Sequence, residues 1–215
     1  MNRRDFLKLL ALFAVSTYLG STTSAKKDRI VIVGAGIVGS ALGYELAKAG
    51  ANVKLIDKAQ PGSQASGNSF SWINATYPKQ PYAYNLFSQL GIDAYKSLTR
   101  ELALQVKWSG SLEWFGDKKI EKDSFKQLAN IMEYKQYTPV EVISASAANQ
   151  LEPKVIFDKN TKVIFSKSDG AIDAMDAINK FINQIKQYGG KIIYPCEYLS
   201  SNYKNGKLLS IKTNQ

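Results

Sequence analysis

Histidine is absent from the 215 residues. A Ser-His-Asp or Cys-His nucleophilic triad is therefore excluded, and so is any metal site built on imidazole. Cysteine occurs once, at Cys196. No disulfide can close within the chain, and neither a CxxC pair nor a zinc cluster can be assembled. Cys196 follows Pro195 near the end of a strand-like run and reads as a small buried side chain rather than a nucleophile. The sequence also lacks an internal repeat and a low-complexity tract. Its 28 basic against 18 acidic residues give a net charge of +10. The lysines are scattered, however, with no basic helix and no aromatic RNA-binding motif, so nucleic acid is not an expected partner. They read as a solvated surface, biased toward anionic lipid or an anionic substrate. With 45% hydrophobic and 21% charged residues, the composition is that of a globular product, neither disordered nor multiply membrane-spanning.

The one long apolar run lies at the N-terminus. Arg3-Arg4-Asp5-Phe6-Leu7-Lys8 has the form of a twin-arginine export signal, followed by the apolar stretch from Leu9 to Leu19 and by small residues ending at Thr23-Ser24-Ala25. The apolar stretch is short of the ~20 residues that a membrane span needs. The expectation is a signal over residues 1–25, export by the twin-arginine translocase, and residence in the periplasm or on the outer face of the inner membrane. An uncleaved anchor and a cytoplasmic basic helix are the alternatives.

The most informative segment is Arg29-Ile30-Val31-Ile32-Val33-Gly34-Ala35-Gly36-Ile37-Val38-Gly39. It reads as a buried strand that breaks into a glycine turn and opens a helix running to Ala49. A second strand, Asn52 to Ile56, ends on Asp57. This is a complete βαβ dinucleotide unit with the acid at the expected distance. Gly34 permits the tight turn, Gly36 lets the backbone approach a pyrophosphate, and Gly39 lets the helix pack closely. The pyrophosphate is expected at the helix N-terminus, where N–H groups and the positive end of the dipole favour an anion. Asp57 is expected to accept hydrogen bonds from ribose hydroxyls, and its charge disfavours the 2′-phosphate of NADP.

After Asp57 comes Lys58-Ala59-Gln60-Pro61-Gly62-Ser63-Gln64, then Ala65-Ser66-Gly67-Asn68-Ser69. The last five residues resemble the small-residue loop that wraps the cofactor in FAD-dependent oxidoreductases of the D-amino-acid oxidase, glycine oxidase and sarcosine oxidase superfamily. Leu151-Glu152-Pro153 and the turn Ser168-Asp169-Gly170-Ala171-Ile172-Asp173 are similar to further segments of that family. The resemblance implies FAD as cofactor. It places Gly34, Ala35, Gly36, Ile37, Val38, Gly39, Asp57, Lys58, Ser66, Gly67, Asn68 and Ser69 against it; Trp72 and Asn74, which directly follow the loop, are expected near the isoalloxazine. It implies oxidation of a C–N bond in an amino acid or other amine, by hydride transfer to the flavin. A nicotinamide-dependent dehydrogenase is the competing reading, and the 65–69 loop argues against it.

Between these parts, Pro78 and Pro81 mark a break. Leu86, Leu90, Ala94, Leu98 and Leu102 recur every fourth residue and predict a helix from Tyr82 to Leu104. Residues 105–108 and 111–115 read as two strands around Ser109-Gly110. Lys122 to Gln136 reads as a helix, and Pro139 to Ile143 as a strand. A short helix follows, capped by Ser144 or Ser146. Trp72, Tyr77, Trp108, Trp114 and Phe115 either line a pocket or fill the core. A helix from Ala174 to Tyr188 ends at Gly189-Gly190, a strand covers 191–194, and Asn205-Gly206 makes a hairpin turn.

The expected architecture is α/β: a Rossmann-like FAD-binding domain interleaved with an α+β substrate domain. The assignment is a signal over 1–25, FAD-binding parts over 26–80 and 169–215, and a substrate part over 81–168. The C-terminal part of the family's pattern, with its active-site arginine and tyrosine, is missing, so no catalytic residue is assigned. A catalytically inactive FAD-binding fragment, or one half of a split enzyme needing a complementary chain, is the alternative.

Overall fold

The computed structural model describes residues 29–75, 79–134 and 140–215. The expected export signal, Tyr77, Pro78 and Pro139 lie outside the described residues. The chain forms two compact units, one containing the residues up to Ala65 with Ile178–Gln215, the other Ser66–Ala177.

The first unit is built on a parallel sheet. Strand β1 (Arg29–Val33) pairs with β2 (Asn52–Ile56), which pairs with β9 (Lys191–Ile193). Helix α1 (Ile37–Lys48) makes the crossover from β1 to β2, as parallel pairing requires. Val53, Leu55 and Ile56 are buried. In α5 (Ala174–Gln187), Ile178, Phe181, Ile182 and Ile185 repeat at helical spacing and form a buried stripe. The Phe181 ring lies 5.5 Å from that of Tyr44 on α1. Gly43 leaves room for this packing, because a Cβ there would stand 2.9 Å from Ile185 Cδ1. The hairpin is as expected: β10 (Tyr198–Lys204) and β11 (Lys207–Thr213) turn through Asn205 and Gly206, both at positive φ. Cys196 is buried.

One expectation needs correction here. The apolar run of β1 reads as a buried strand, but only Ile32 is buried, while Val31 and Val33 are 37% and 56% exposed. The reason is the face: Arg29, Val31 and Val33 alternate with Ile32 and point away from α1, whose Gly39 and Gly43 stand against the Ile32 side chain.

The second unit carries two three-stranded sheets. One has the order β3 (Trp72–Ile73), β8 (Gly170–Ile172), β4 (Val106–Lys107). The other runs β5 (Ser111–Glu113), β7 (Lys162–Ser166), β6 (Glu141–Ser144). The runs on either side of Ser109-Gly110 are therefore strands but not partners: β4 pairs with β8 and β5 with β7. Gly110, at φ +77°, turns the chain from one sheet into the other, and a Cβ there would meet the Phe165 ring at 2.7 Å.

Helix α2 (Tyr82–Leu102) follows its predicted span closely. Helix α3 (Lys118–Met132) begins four residues before the expected Lys122, because Asp117 caps it by accepting the N–H groups of Lys119 at 2.7 Å and Ile120 at 2.9 Å. Helix α4 (Ala145–Leu151) is capped by Ser144 rather than Ser146. Leu128, Ile131, Val140 and Ile164 form one core cluster, and Ala145, Ala148, Phe157 and Val163 another. The aromatics divide accordingly: Phe115 packs on the first, Trp114 meets Phe157 edge to face at 4.9 Å, and Trp108 packs on Ile73, Ala75 and Ile92. No described helix is long and apolar enough to cross a membrane.

Candidate cofactor-binding site

The turn between β1 and α1 is held from three directions. Gly34, at φ +103°, donates its N–H to the Ile56 carbonyl at 2.8 Å, tying the turn to the end of β2. Ala35 is fully buried, and its N–H donates to Asp57 Oδ2 at 2.7 Å. The Ala35 carbonyl accepts the N–H of Gly62 at 3.1 Å. Asp57 is locked in turn: its second oxygen accepts the N–H of Ala59 at 2.9 Å, its own N–H donates to Ile193, and its carbonyl accepts the N–H of Cys196. The acid thus binds the glycine turn as well as ending β2. Each carboxylate oxygen has a second lone pair beyond the bond named here, so hydrogen bonds to ribose hydroxyls remain within its acceptor capacity.

Gly36 is the N-cap of α1 and provides no side-chain cap, and no acidic residue stands in the first turn. A helix N-terminus whose N-cap residue carries no side chain, at the positive end of the dipole, suits an anionic ligand. Space in front of the turn is open: a Cβ on Gly34 would meet nothing within 4 Å. Gly39 is different. A Cβ there would lie 1.9 Å from the Gly34 carbonyl oxygen, so its bareness serves the turn first and the sheet packing second. Ile37 opens the helix, with exposed Val38 beside it. Lys58 is exposed. These residues fit a dinucleotide pyrophosphate.

Ser66, Gly67, Asn68 and Ser69 belong to the second unit and form a turn-rich loop, exposed except for half-buried Ser66. Ser66, Gly67 and Ser69 line a cavity of about 240 Å³ with Phe70, Ser71 and the start of α5. Ser71 follows at φ +55°, with its N–H donated to Ser69 Oγ at 3.0 Å.

Downstream of that loop stands a cluster that sequence reasoning did not identify. Asp169 is fully buried, and its Oδ2 accepts from Trp72 Nε1 at 3.2 Å, Asn74 Nδ2 at 3.0 Å and Ser111 Oγ at 2.7 Å. Lys79 Nζ donates to the Asn74 carbonyl. Burial lowers the Lys79 ammonium below its ordinary range, with the charge of Asp169 opposing. Burial, with Asp169 adding to it, pushes the Glu113 carboxyl up to about 7. The sequence signal was faint: Trp72 and Asn74 drew notice only for following the loop, and Asp169 for preceding a glycine.

Comparison with known proteins agrees with this geometry. The chain belongs to the DAO family of FAD dependent oxidoreductases, whose model matches residues 29–214, and FAD is the cofactor of that family. N-methyl-L-tryptophan oxidase of Yersinia pestis (strain Pestoides F) is 24% identical over 177 residues, covering 78% of this chain and 44% of the enzyme. L-proline dehydrogenase from P. horikoshii superposes with a TM-score of 0.77 at 26% identity, over 87% of this chain and 49% of that one. Glycine oxidase from Bacillus cereus ATCC 14579 gives 0.71 at 20% identity, over 88% and 53%. The chain therefore spans about half the length of the relatives it matches.

Proposed function

We propose that this protein is an exported oxidoreductase that removes hydride from the carbon beside the nitrogen of an amino acid or other small amine. The observation that carries the cofactor site is the bond from the Ala35 N–H to Asp57, beside a helix start that has no side-chain cap. Gly34, Ala35, Gly36 and Gly39 shape the turn, and the first turn of α1 at Ile37 and Val38 offers N–H groups to the pyrophosphate. Asp57 holds the turn and faces the ribose, with Lys58 beside it. By resemblance, Ser66, Gly67, Asn68 and Ser69 form the second cofactor contact, and Trp72 and Asn74, which follow that loop directly, approach the flavin ring. When bound, FAD supplies the two-electron acceptor, a chemistry that the side chains here lack.

The substrate class is supported by relatives named for N-methyl-L-tryptophan, L-proline and glycine. Anaerobic mixing of the FAD-loaded protein with a panel of free and N-methylated amino acids tests it. Bleaching of the flavin band by one group of amines supports the reading, and no bleaching by any of them contradicts it.

A second reading is favoured by the half-length match: an FAD-binding polypeptide that needs a complementary chain for turnover. It predicts flavin uptake without bleaching until that chain is added.

Export rests on Arg3 and Arg4. The double change Arg3→Lys, Arg4→Lys is expected to retain the protein in the cytoplasm on cell fractionation, and unchanged periplasmic recovery would contradict twin-arginine export.

A further inference from the structure

Asp169 is anchored before its side chain is considered. Its N–H donates to Ser166 at 3.2 Å and its carbonyl accepts the Gly110 N–H at 3.0 Å. The carboxylate is therefore delivered to a fixed place at the turn between β7 and β8. The three donors named above come from both sheets of the second unit: Trp72 and Asn74 from β3 and the residue following it, Ser111 from β5.

Trp72 and Asn74 are two residues apart, so they share a face of the strand. One oxygen gathers both. A buried carboxylate is costly, and well-packed apolar side chains join two sheets at least as well. A charged acceptor adds direction: it sets the rotation of the indole and of the amide, with bonds stronger than neutral ones. The indole N–H is tied inward while the ring keeps 37% exposure, so the ring is presented in one orientation. Lys79, bonded to the Asn74 carbonyl, holds the same residue from its backbone side.

We propose that Asp169 is a positioning residue, which fixes the Trp72 indole and the Asn74 amide as the surface offered to the flavin ring and its substrate. The inference rests on the cofactor reading above for what lies opposite that surface. The fixing itself can be read without cofactor.

The test uses the full chain with ¹⁵N-labelled indoles, its Trp72 signal assigned through Trp72→Phe. In Asp169→Asn the Trp72 N–H signal is expected to move upfield and to exchange about tenfold faster or more. In Ser111→Ala, which removes the third donor only, it is expected to stay. After FAD loading, Asp169→Asn and Trp72→Phe are each expected to shift the flavin bands, and the double variant by less than the sum of the two, the part beyond Trp72→Phe coming from the released Asn74 amide. An unmoved indole signal in Asp169→Asn, or additive flavin shifts, would overturn the proposal. Should Asp169→Asn not fold, Trp72→Phe decides, since it keeps a ring and leaves the buried acid intact: flavin bands identical to wild type overturn the proposal. A wild-type chain that takes up no FAD contradicts the cofactor reading and leaves the indole signal to decide for Asp169.

Discussion

Asp57 Oδ2 accepts the backbone N–H of Ala35 at 2.7 Å, so the acid at the end of β2 fixes the turn at the end of β1. The two residues are 22 positions apart in sequence, and the intervening helix brings them together. One side chain thus organises both the glycine turn and the end of β2, the two parts of the proposed cofactor site. Any disturbance of Asp57 is expected to reach the glycine turn before it reaches a ligand.

Asp57→Ala leaves the N–H groups of Ala35 and Ala59 without their side-chain acceptor. The expected loss is about 2 kcal/mol of stability, in the range for bonds to a charged group, together with weaker FAD binding. Asp57→Asn is expected to recover only part, because its amide presents a donor to one of the two N–H groups. Denaturant melts with and without FAD check both variants.

Gly39→Ala places a methyl carbon 1.9 Å from the Gly34 carbonyl oxygen. The atom it meets is backbone, so the turn must deform. FAD uptake is expected to be abolished, with destabilisation of several kcal/mol as for other severe steric conflicts. Gly91→Ala, in the interior of α2 with nothing within 4 Å of the new carbon, is expected to stabilise by up to ~1 kcal/mol through helix propensity. Thermal melts of the pair should move in opposite directions.

Glu113→Gln tests the charge around Asp169. The folded-state value of Glu113 is raised from 4.5 to about 7, by burial first and by Asp169 second. The folded chain therefore holds the proton more tightly than the unfolded chain. This stability is present below 4.5 and lost as pH rises through about 7. Glutamine cannot ionise. The variant is expected to match wild type near pH 4 and to exceed it increasingly up to neutrality, by on the order of 1 kcal/mol after allowance for solvent screening. Urea melts across that pH range give the comparison.

Asp117→Ala removes the acceptor for the Lys119 and Ile120 N–H groups at the start of α3. A loss of about 1 kcal/mol is expected, typical of an N-cap, with flavin binding unchanged. Circular dichroism melts and an FAD titration check the two halves of that statement.

The βαβ unit was legible because each of its requirements is local: an apolar run, a glycine turn, a helix period and an acid at a set distance. The Asn205-Gly206 hairpin was legible for the same reason, since its turn demands positive φ at adjacent residues. The partners of β4 and β5 were not legible, because strand partners are chosen by distant segments. Residues 106–107 and 111–113 are close in sequence, yet each bonds to a strand some sixty residues away. The exposure of Val31 and Val33 could not be read either, because apolar composition does not say which face of a strand its helix covers. Asp169 carried no usable signal, since its donors come from residues 95 to 97 positions upstream and from Ser111, 58 upstream.

The most direct test of the central claim is the visible spectrum and FAD titration of the full chain beside its Gly39→Ala variant. The account predicts protein-shifted flavin bands saturating at one FAD per wild-type chain and none on the variant. A wild-type chain that stays colourless, or a variant that binds FAD equally well, would contradict the assignment of the Gly34–Gly39 turn and Asp57 to the cofactor.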